Sequence, residues 1–527
     1  MPGQNTYMTI PSAVRRLAFA AAPLALAASL PAPASAQEQA APAVTVPSPP
    51  SLLRTAAEWH LMRIERHEDD GAKINAIIAL GDDLADRVEA SAASGLPLGG
   101  RMILVKDNIE TREWPTTAGS IALSENATGR DAPLIANLRA AGAVIAGKTN
   151  LSEWANIRST SSASGWSAVG GLTRNPYAPW RSACGSSSGS GAAVAALFAW
   201  AAIGTETDGS ITCPASVNGI VGMKPTVGLV SRTHIVPISS TQDTAGPMAQ
   251  TVSAAAQLLT AMAGTDPADP ATAQADARKG NYAAGLGDAS LAGVRIGVMR
   301  SAVGDRADVT ALFDAALANM ERAGAELVEI AWEPDPQMYE AEFAVLLYEL
   351  REQMDAYLAG SPADIPVRSL ADVIRFNEAH AEQEMRWFGQ EIFVEAAGTL
   401  DKAAYEIAKA DAYRLARTEG LEKLLAENNV TAIVAPTTGP AWSIDLVYGD
   451  NYPASIGIGS IAAIGGTPHL SVPMGAVKGM PIGLSIMGAA WDDHGVLMLG
   501  AAYERARTAK LAVSPIAAPP VTGPAAQ

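Results

Sequence analysis

Along residues 51–95, Leu52, Leu53, Ala56, Trp59, Leu61, Met62 and Ile64 recur at helical spacing, and Ile77 to Val88 repeats the pattern. Apolar positions every three to four residues predict amphipathic helices. Arg101 to Val105 is a short apolar strand that ends at Lys106 and Asp107. A helix over Leu134 to Ala141 and a buried strand over Ala143 to Ala146 follow. Residues 156–191 lose this periodicity and fill with Ser, Gly, Asn and Pro, a long loop zone of the kind that is either functional or disordered. The apolar run Ala192 to Ile203 reads as a buried core helix, too short for the ~20 residues that cross a bilayer. Residues 204–250 return to Gly, Ser, Thr and Pro punctuation, and residues 264–290 read as a surface connection. Val294 to Val298 is a strand, and residues 306–430 are mostly helical. Ala432 to Ala435 and His469 to Val472 are buried strands, each stopped by proline, and residues 494–507 form a final helix. Strands alternating with helices, without an internal repeat, imply an α/β body with a mixed sheet.

Composition narrows the class. Of 527 residues 48% are hydrophobic and 17% charged, which excludes a disordered chain. Two cysteines exclude a disulfide scaffold. A net charge of -17 argues against nucleic acid as a partner, since nucleic-acid binders present a basic face. The N-terminus reads as an address. Arg15 and Arg16 precede a mostly apolar run from Leu17 to Leu30, and Ala34-Ser35-Ala36 is a small-x-small cleavage site. This is the secretory signal pattern, with cleavage expected after Ala36 and a periplasmic or secreted product. The arginine pair leaves the Sec and twin-arginine routes both open. Cleavage removes two positive charges from -17 and leaves -19. Residues 37–50 read as a linker, 51–510 as the folded body and 511–527 as a Pro/Ala-rich tail. No membrane partner beyond export is expected, and no pattern specifies an oligomeric state. The histidines lack ligand spacing, so no metal and no cofactor are expected.

Two motif look-alikes compete for the chemistry. Gly142 to Thr149 reads GAVIAGKT, a literal phosphate-loop match. That loop needs free backbone N–H groups between a strand and a helix, whereas Val-Ile-Ala prefers to be strand itself. Gly185 to Gly189 reads GSSSG, a literal nucleophile-elbow match centred on Ser187. An elbow needs a strand immediately before the serine and a histidine base, and Asn175 to Cys184 carries two prolines and no strand pattern.

A third reading uses the whole zone. Lys106 ends an apolar strand, Gly185-Ser186-Ser187-Ser188-Gly189-Ser190-Gly191 comes eighty residues later, and Gly204-Thr205-Glu206-Thr207-Asp208-Gly209-Ser210 comes after the apolar run. Gly222-x-Lys224-Pro225-Thr226, Gly246-Pro247, Gly465-x-Thr467-Pro468 and Pro481-x-Gly483 complete the order. From about residue 55 to 507 the chain resembles the amidase signature family. The resemblance implies that family's fold, a large mixed β-sheet covered by helices on both faces. It implies a serine amidase acting through an acyl-enzyme, with Ser210 as nucleophile, Ser186 as bridging serine and Lys106 as base. It implies a cis bond at Gly185–Ser186 and an oxyanion hole from the backbone N–H groups of Thr207, Asp208, Gly209 and Ser210.

Many family members carry arginine two positions after the nucleophile; here Ser210-Ile211-Thr212-Cys213-Pro214 does not. That stretch, Ser182 to Ser190, and Thr149 to Asn156 are closer to bacterial peptide amidases. The implied substrate is a small-molecule or peptide amide. Release of ammonia from peptide C-terminal amides is the first reading, and aryl acylamide or other small-amide hydrolysis the alternative. The glutaminase component of the tRNA-dependent amidotransferase fits export poorly. A binding protein that kept the fold would have lost Lys106, Ser186 or Ser210, and all three are present.

The chemistry is coherent without the family. A lysine acts as a base near neutrality only if its pKa falls well below ~10.4, and burial beside Leu104 and Val105 would lower it. Ser187, Ser188 and Ser190 read as caps or loop hydrogen-bonders, and Asp107, Lys148, Lys224 and Asp243 as structural partners. Cys184 and Cys213 read as two buried free thiols, although export makes a disulfide chemically possible. Tyr339, Phe343, Tyr348, Phe376, Trp387 and Phe388 are candidates to line the pocket, with plain core packing as their alternative role.

Overall fold

The computed structural model describes residues 51–509 apart from 69, 70, 399, 400, 453 and 454, together with 511, 514 and 516. The stretches read from sequence as a signal segment and a linker, and most of the expected tail, lie outside the described residues. The chain divides between Pro49 and Pro50, and every described element lies in the second unit.

Eleven strands form one sheet. In chain order they are β1 (Ile77–Leu80), β2 (Met102–Lys106), β3 (Val144–Thr149), β4 (Ala201–Glu206), β5 (Val221–Lys224), β6 (Thr244–Ala249), β7 (Arg295–Val298), β8 (Glu326–Glu329), β9 (Ala432–Pro436), β10 (His469–Val477) and β11 (Met480–Met487). Their spatial order is β1-β3-β2-β4-β6-β5-β10-β11-β9-β7-β8. β2 is parallel to both β3 and β4, and β7 to both β8 and β9. The remaining pairs are antiparallel, so the sheet is mixed.

Side chains alternate across a strand, and here both faces are covered. Met102 and Leu104 of β2 pack into one apolar cluster, Ile103 and Val105 into another. The first cluster holds α1 (Leu52–His67), α2 (Leu84–Ala92) and α4 (Ser188–Ala195). The second holds α3 (Pro133–Ala140), α6 (Val252–Met262), α7 (Ala307–Arg322) and the final helix, Asp493–Ala506. Burial on both faces explains why the central strands read as unbroken apolar runs rather than alternating ones.

Two expected helices are corrected. Ile77 to Val88 is not one helix: β1 ends at Leu80, Gly81 to Asp83 turn the chain, and α2 starts at Leu84. Ala192 to Ile203 is also split, because α4 stops at Ala195, Leu197 takes φ 60°, and β4 begins at Ala201. Helix and strand are both buried and no polar residue separates them, so periodicity alone does not mark the join. Residues 306–430 are mostly helical as expected. They include α8 (Pro336–Gly360), α9 (Leu370–Ala379) and α10 (Lys402–Tyr413), with β8 as the exception. Among the described residues no helix is long and apolar enough to cross a membrane.

Candidate active site

Lys106 is the last residue of β2, and its side chain is fully buried. Its Nζ lies 2.8 Å from Ser186 Oγ, 2.8 Å from Thr205 Oγ1 and 3.2 Å from the Thr205 carbonyl oxygen. Asn108 Nδ2 donates to the same Thr205 hydroxyl at 2.9 Å. Burial lowers the Lys106 pKa to about 7, against the opposing pull of Asp243 and Glu206. A neutral amine is therefore well populated near pH 7.

Ser186 sits in the tight turn before α4. The Gly185–Ser186 peptide bond is cis, as the resemblance implies. A Cβ at Gly185 would stand 2.1 Å from Ser152 Oγ, so only glycine fits there. The Ser186 carbonyl accepts from Ser152 N–H at 3.1 Å. The three neighbouring serines are consumed by structure. Ser187 Oγ donates to the Thr205 carbonyl at 3.0 Å and accepts from Thr205 N–H at 3.2 Å. Ser188 Oγ donates to the Cys184 carbonyl, and Ser190 Oγ to that of Ile203. The central serine of the elbow look-alike is thus a link between α4 and β4.

Ser210 follows β4 through a loop that turns at Gly209, where φ is +75°. Its carbonyl accepts from Ser187 N–H at 3.1 Å, which seats the loop against the Ser186 turn. Among the described residues the Ser210 hydroxyl makes no hydrogen bond. Lys106 and Ser186 are thus joined directly, whereas Ser210 is joined to their segment through the main chain. The N–H groups of Asp208, Gly209 and Ser210 likewise find no acceptor among the described residues. The next two, Ile211 and Thr212, donate to Glu206 Oε2 at 2.8 and 3.0 Å. Glu206 therefore caps α5 (Thr212–Val217) and holds the turn that presents Ser210.

The structural roles expected of the other charged residues hold. Lys148 Nζ pairs with Asp107 Oδ1 at 2.8 Å, both side chains buried, and Asp107 Oδ2 accepts from Thr117 N–H at 3.1 Å. Lys148 lies on β3, so the phosphate-loop look-alike is a strand. Asp243 accepts from Thr207 Oγ1 at 2.6 Å and from Ile238 and Ser239 N–H. Lys224 donates to the Pro225 carbonyl at 3.0 Å, and burial lowers its pKa to about 8.

The free-thiol expectation is overturned. Cys184 and Cys213 form a disulfide with Cα atoms 6.0 Å apart. Cys184 stands two residues before Ser186 and Cys213 three after Ser210, so holding those two loops together brings the sulfurs within reach.

A cavity of about 540 Å³ opens at Gly209 and Cys213, on either side of Ser210 in sequence. Of the six aromatic candidates only Tyr339 lines it. Tyr348 stacks on Tyr405, Phe376 on His380, and Phe388 meets Trp166 edge to face. Trp387 packs against the cluster around Phe388, and Phe343 is exposed. The aromatic walls that sequence reading missed are Trp442 and Tyr452. No periodic signal marks them, because residues 439–452 are irregular chain. Thr205, Asn108 and Glu206 were equally hidden: two lie inside a recognised motif and one beside Lys106, but spacing does not say which side chains turn inward.

A model of the Amidase family matches residues 58–497. The native peptide amidase of Stenotrophomonas maltophilia superposes with a TM-score of 0.82 at 45% identity, over 88% of this chain and 95% of that one. An amidase family protein of Bacillus anthracis superposes with a TM-score of 0.79 at 30% identity, over 88% of this chain and 89% of that one. A probable amidase of Arabidopsis thaliana is 38% identical over 436 residues, 80% of each chain. Fold, site and relatives together define an amide-hydrolysing enzyme. The chain belongs to the amidase signature family.

Proposed function

We propose that Ser210 attacks the carbonyl carbon of a peptide C-terminal amide, that Ser186 passes its proton to neutral Lys106, and that ammonia leaves. The observation that carries this reading is the buried Lys106 Nζ, 2.8 Å from Ser186 Oγ and held near a pKa of about 7. A neutral Nζ has two protons and one lone pair. The Thr205 carbonyl can only accept, so it takes one N–H, and the Thr205 hydroxyl oxygen takes the other. The lone pair is left for the Ser186 O–H. The Ser186 oxygen can in turn accept from Ser210, whose free hydroxyl turns toward it as substrate arrives. As the tetrahedral intermediate collapses, the same chain returns the proton to the leaving nitrogen and the acyl group stays on Ser210. Water then repeats the relay to release the acid. The unpartnered N–H groups of Asp208, Gly209 and Ser210, with that of Thr207 beside them, face the developing oxyanion; losing one such donor costs ~2.7–4 kcal/mol in other enzymes.

Likeness to the Stenotrophomonas peptide amidase supports a peptide amide over the aryl acylamide alternative. The disulfide supports export, since such bonds persist in oxidising compartments. N-terminal sequencing of protein exported from a bacterial host is expected to begin at Gln37.

The test compares ammonia release from a dipeptide amide with aniline release from a matched acyl anilide, Ser210→Ala serving as control. Higher kcat/KM on the peptide amide is expected. A preference for the anilide would move the function to aryl acylamide hydrolysis.

A further inference from the structure

The cavity beside Gly209 carries a charge asymmetry that amide cleavage alone does not require. Its charged lining groups are two carboxylates, Asp208 and Asp450, and no lysine or arginine lines it. Among the described residues neither carboxylate has an ion-pair partner. Their hydrogen bonds come from neutral donors. Ser460 Oγ donates to Asp208 Oδ2 at 2.7 Å, while Ser164 N–H and Trp442 Nε1 donate to Asp450 Oδ1 at 3.1 and 3.0 Å. Burial raises the pKa of both, Asp208 to about 6. Lys224 acts on Asp208 through space but does not line the cavity. Carboxylates held back in this way gain most from an incoming cation.

Two further observations favour the same guest. Trp442 and Tyr452 stand with ring centroids 5.7 Å apart, and Tyr339 shares the wall with them. Aromatic faces attract ammonium and guanidinium groups. His469 also lines the cavity, is 1% exposed, and has an Nδ1 without a hydrogen-bond partner. Ser485 Oγ donates to Thr437 Oγ1 at 3.0 Å, so its oxygen accepts from His469 Nε2–H at 2.6 Å and Nδ1 keeps its lone pair. Burial keeps this imidazole neutral, with a pKa of about 3. A Cβ at Gly459 would stand 2.9 Å from His469 Cε1 and 3.3 Å from Nδ1, so the glycine backbone packs against that edge of the ring, and the neutral imidazole sets no positive charge against a cationic guest. The cavity thus offers two carboxylates and aromatic faces to a cationic group, with no lysine or arginine in its wall.

We propose that this cavity receives a cationic group of the substrate, an ammonium or guanidinium, between Asp208 and Asp450 and against the rings of Trp442 and Tyr452. The proposal rests on the reading of this cavity as the substrate pocket. The cation can be the α-ammonium of an amino-acid amide or the side chain of a basic residue.

Calorimetric titration of the Ser210→Ala protein separates these sources without turnover. One pair of ligands is N-acetyl-lysinamide and N-acetyl-norleucinamide; the other is leucinamide and N-acetyl-leucinamide. In at least one pair the charged member is expected to bind about tenfold more tightly. The pair that shows the gap identifies the source. The gap should narrow at about 1 M salt, where the Debye length is ~3 Å, and Asp450→Asn should remove most of it. Should Asp450→Asn not fold, Asp208→Asn in the same titration decides. Equal or weaker binding of both charged members, or a gap that survives the substitution, overturns the proposal. Ammonia release by the unsubstituted enzyme, measured in parallel, keeps the two readings apart. Turnover without any charge preference sinks the cation site alone. Charge preference without turnover of any of these amides supports the site and contradicts the amidase substrate.

Discussion

Lys106 Nζ has a partner for every position it can offer, whichever protonation state it is in. When charged, its three protons meet Ser186 Oγ, Thr205 Oγ1 and the Thr205 carbonyl; when neutral, the lone pair replaces the proton toward Ser186. A base must be stable in both states, and this set of acceptors provides that without a fixed counter-ion in contact. Asp243 and Glu206 act on Lys106 only through space, and both are occupied by other donors. Burial disfavours the charged amine and so lowers its pKa to about 7. Below pH 7, therefore, Lys106 holds a proton and cannot accept another. The kcat/KM profile is expected to fall about tenfold per pH unit on the acid side and level off above pH 7. Lys106→Arg, which stays charged, should be inactive throughout. A flat profile of the unsubstituted enzyme between pH 5.5 and 8.5 would contradict the assignment of Lys106 as base.

At the scale of elements, the site depends on two loops, one before α4 and one before α5, being held edge to edge. The Cys184–Cys213 bridge ties them with 29 residues of separation. Closing a loop of that size contributes about 3–4 kcal/mol in the chain-entropy model. The double substitution Cys184→Ser/Cys213→Ser should lower the urea-unfolding free energy by that amount. Denatured, unreduced protein should take up no alkylating agent; two alkylated thiols would refute the bridge. The same loops separate what is legible in a sequence from what is not. Lys106, Ser186 and Ser210 can be singled out in the sequence because each sits in a short motif that carries the resemblance to the amidase signature family, and the fold places Lys106 against Ser186. The cysteine contact is not, because it exists only once two segments far apart in sequence meet. The join between α4 and β4 is hidden for a different reason. Both are buried on all sides, so the alternation that would betray a strand is absent. Trp442 and Tyr452 are hidden because irregular chain has no period from which a facing direction follows.

Across the whole molecule, the sheet sets the depth of the site and the helical section closes one side of it. Glu342 and Glu349 stand seven residues apart on α8 and so share a face. Gln242 Nε2 donates to Glu342 Oε1 at 2.8 Å, and Ser239 Oγ and Tyr405 O–H donate to the two oxygens of Glu349 at 2.5 and 2.7 Å. This pins α8 and α10 to the segment that also carries Asp243, next to the Thr207 turn. Strand β2, the turn before α4 and the loop after β4 then bring Lys106, Ser186 and Ser210 from distant parts of the chain to adjoining segments, Lys106 hydrogen-bonded to Ser186 and the Ser210 carbonyl to Ser187 N–H. In the proposed mechanism Ser210, and none of the serines around Ser186, should carry the acyl group. Rapid acid quench of turnover on a peptide amide, followed by peptide mass spectrometry, reads this directly. The expected result is an acyl adduct on Ser210, lost in Ser210→Ala, nearly lost in Lys106→Ala and retained in Ser187→Ala. An adduct on Ser187, with Ser210→Ala still active, would contradict it.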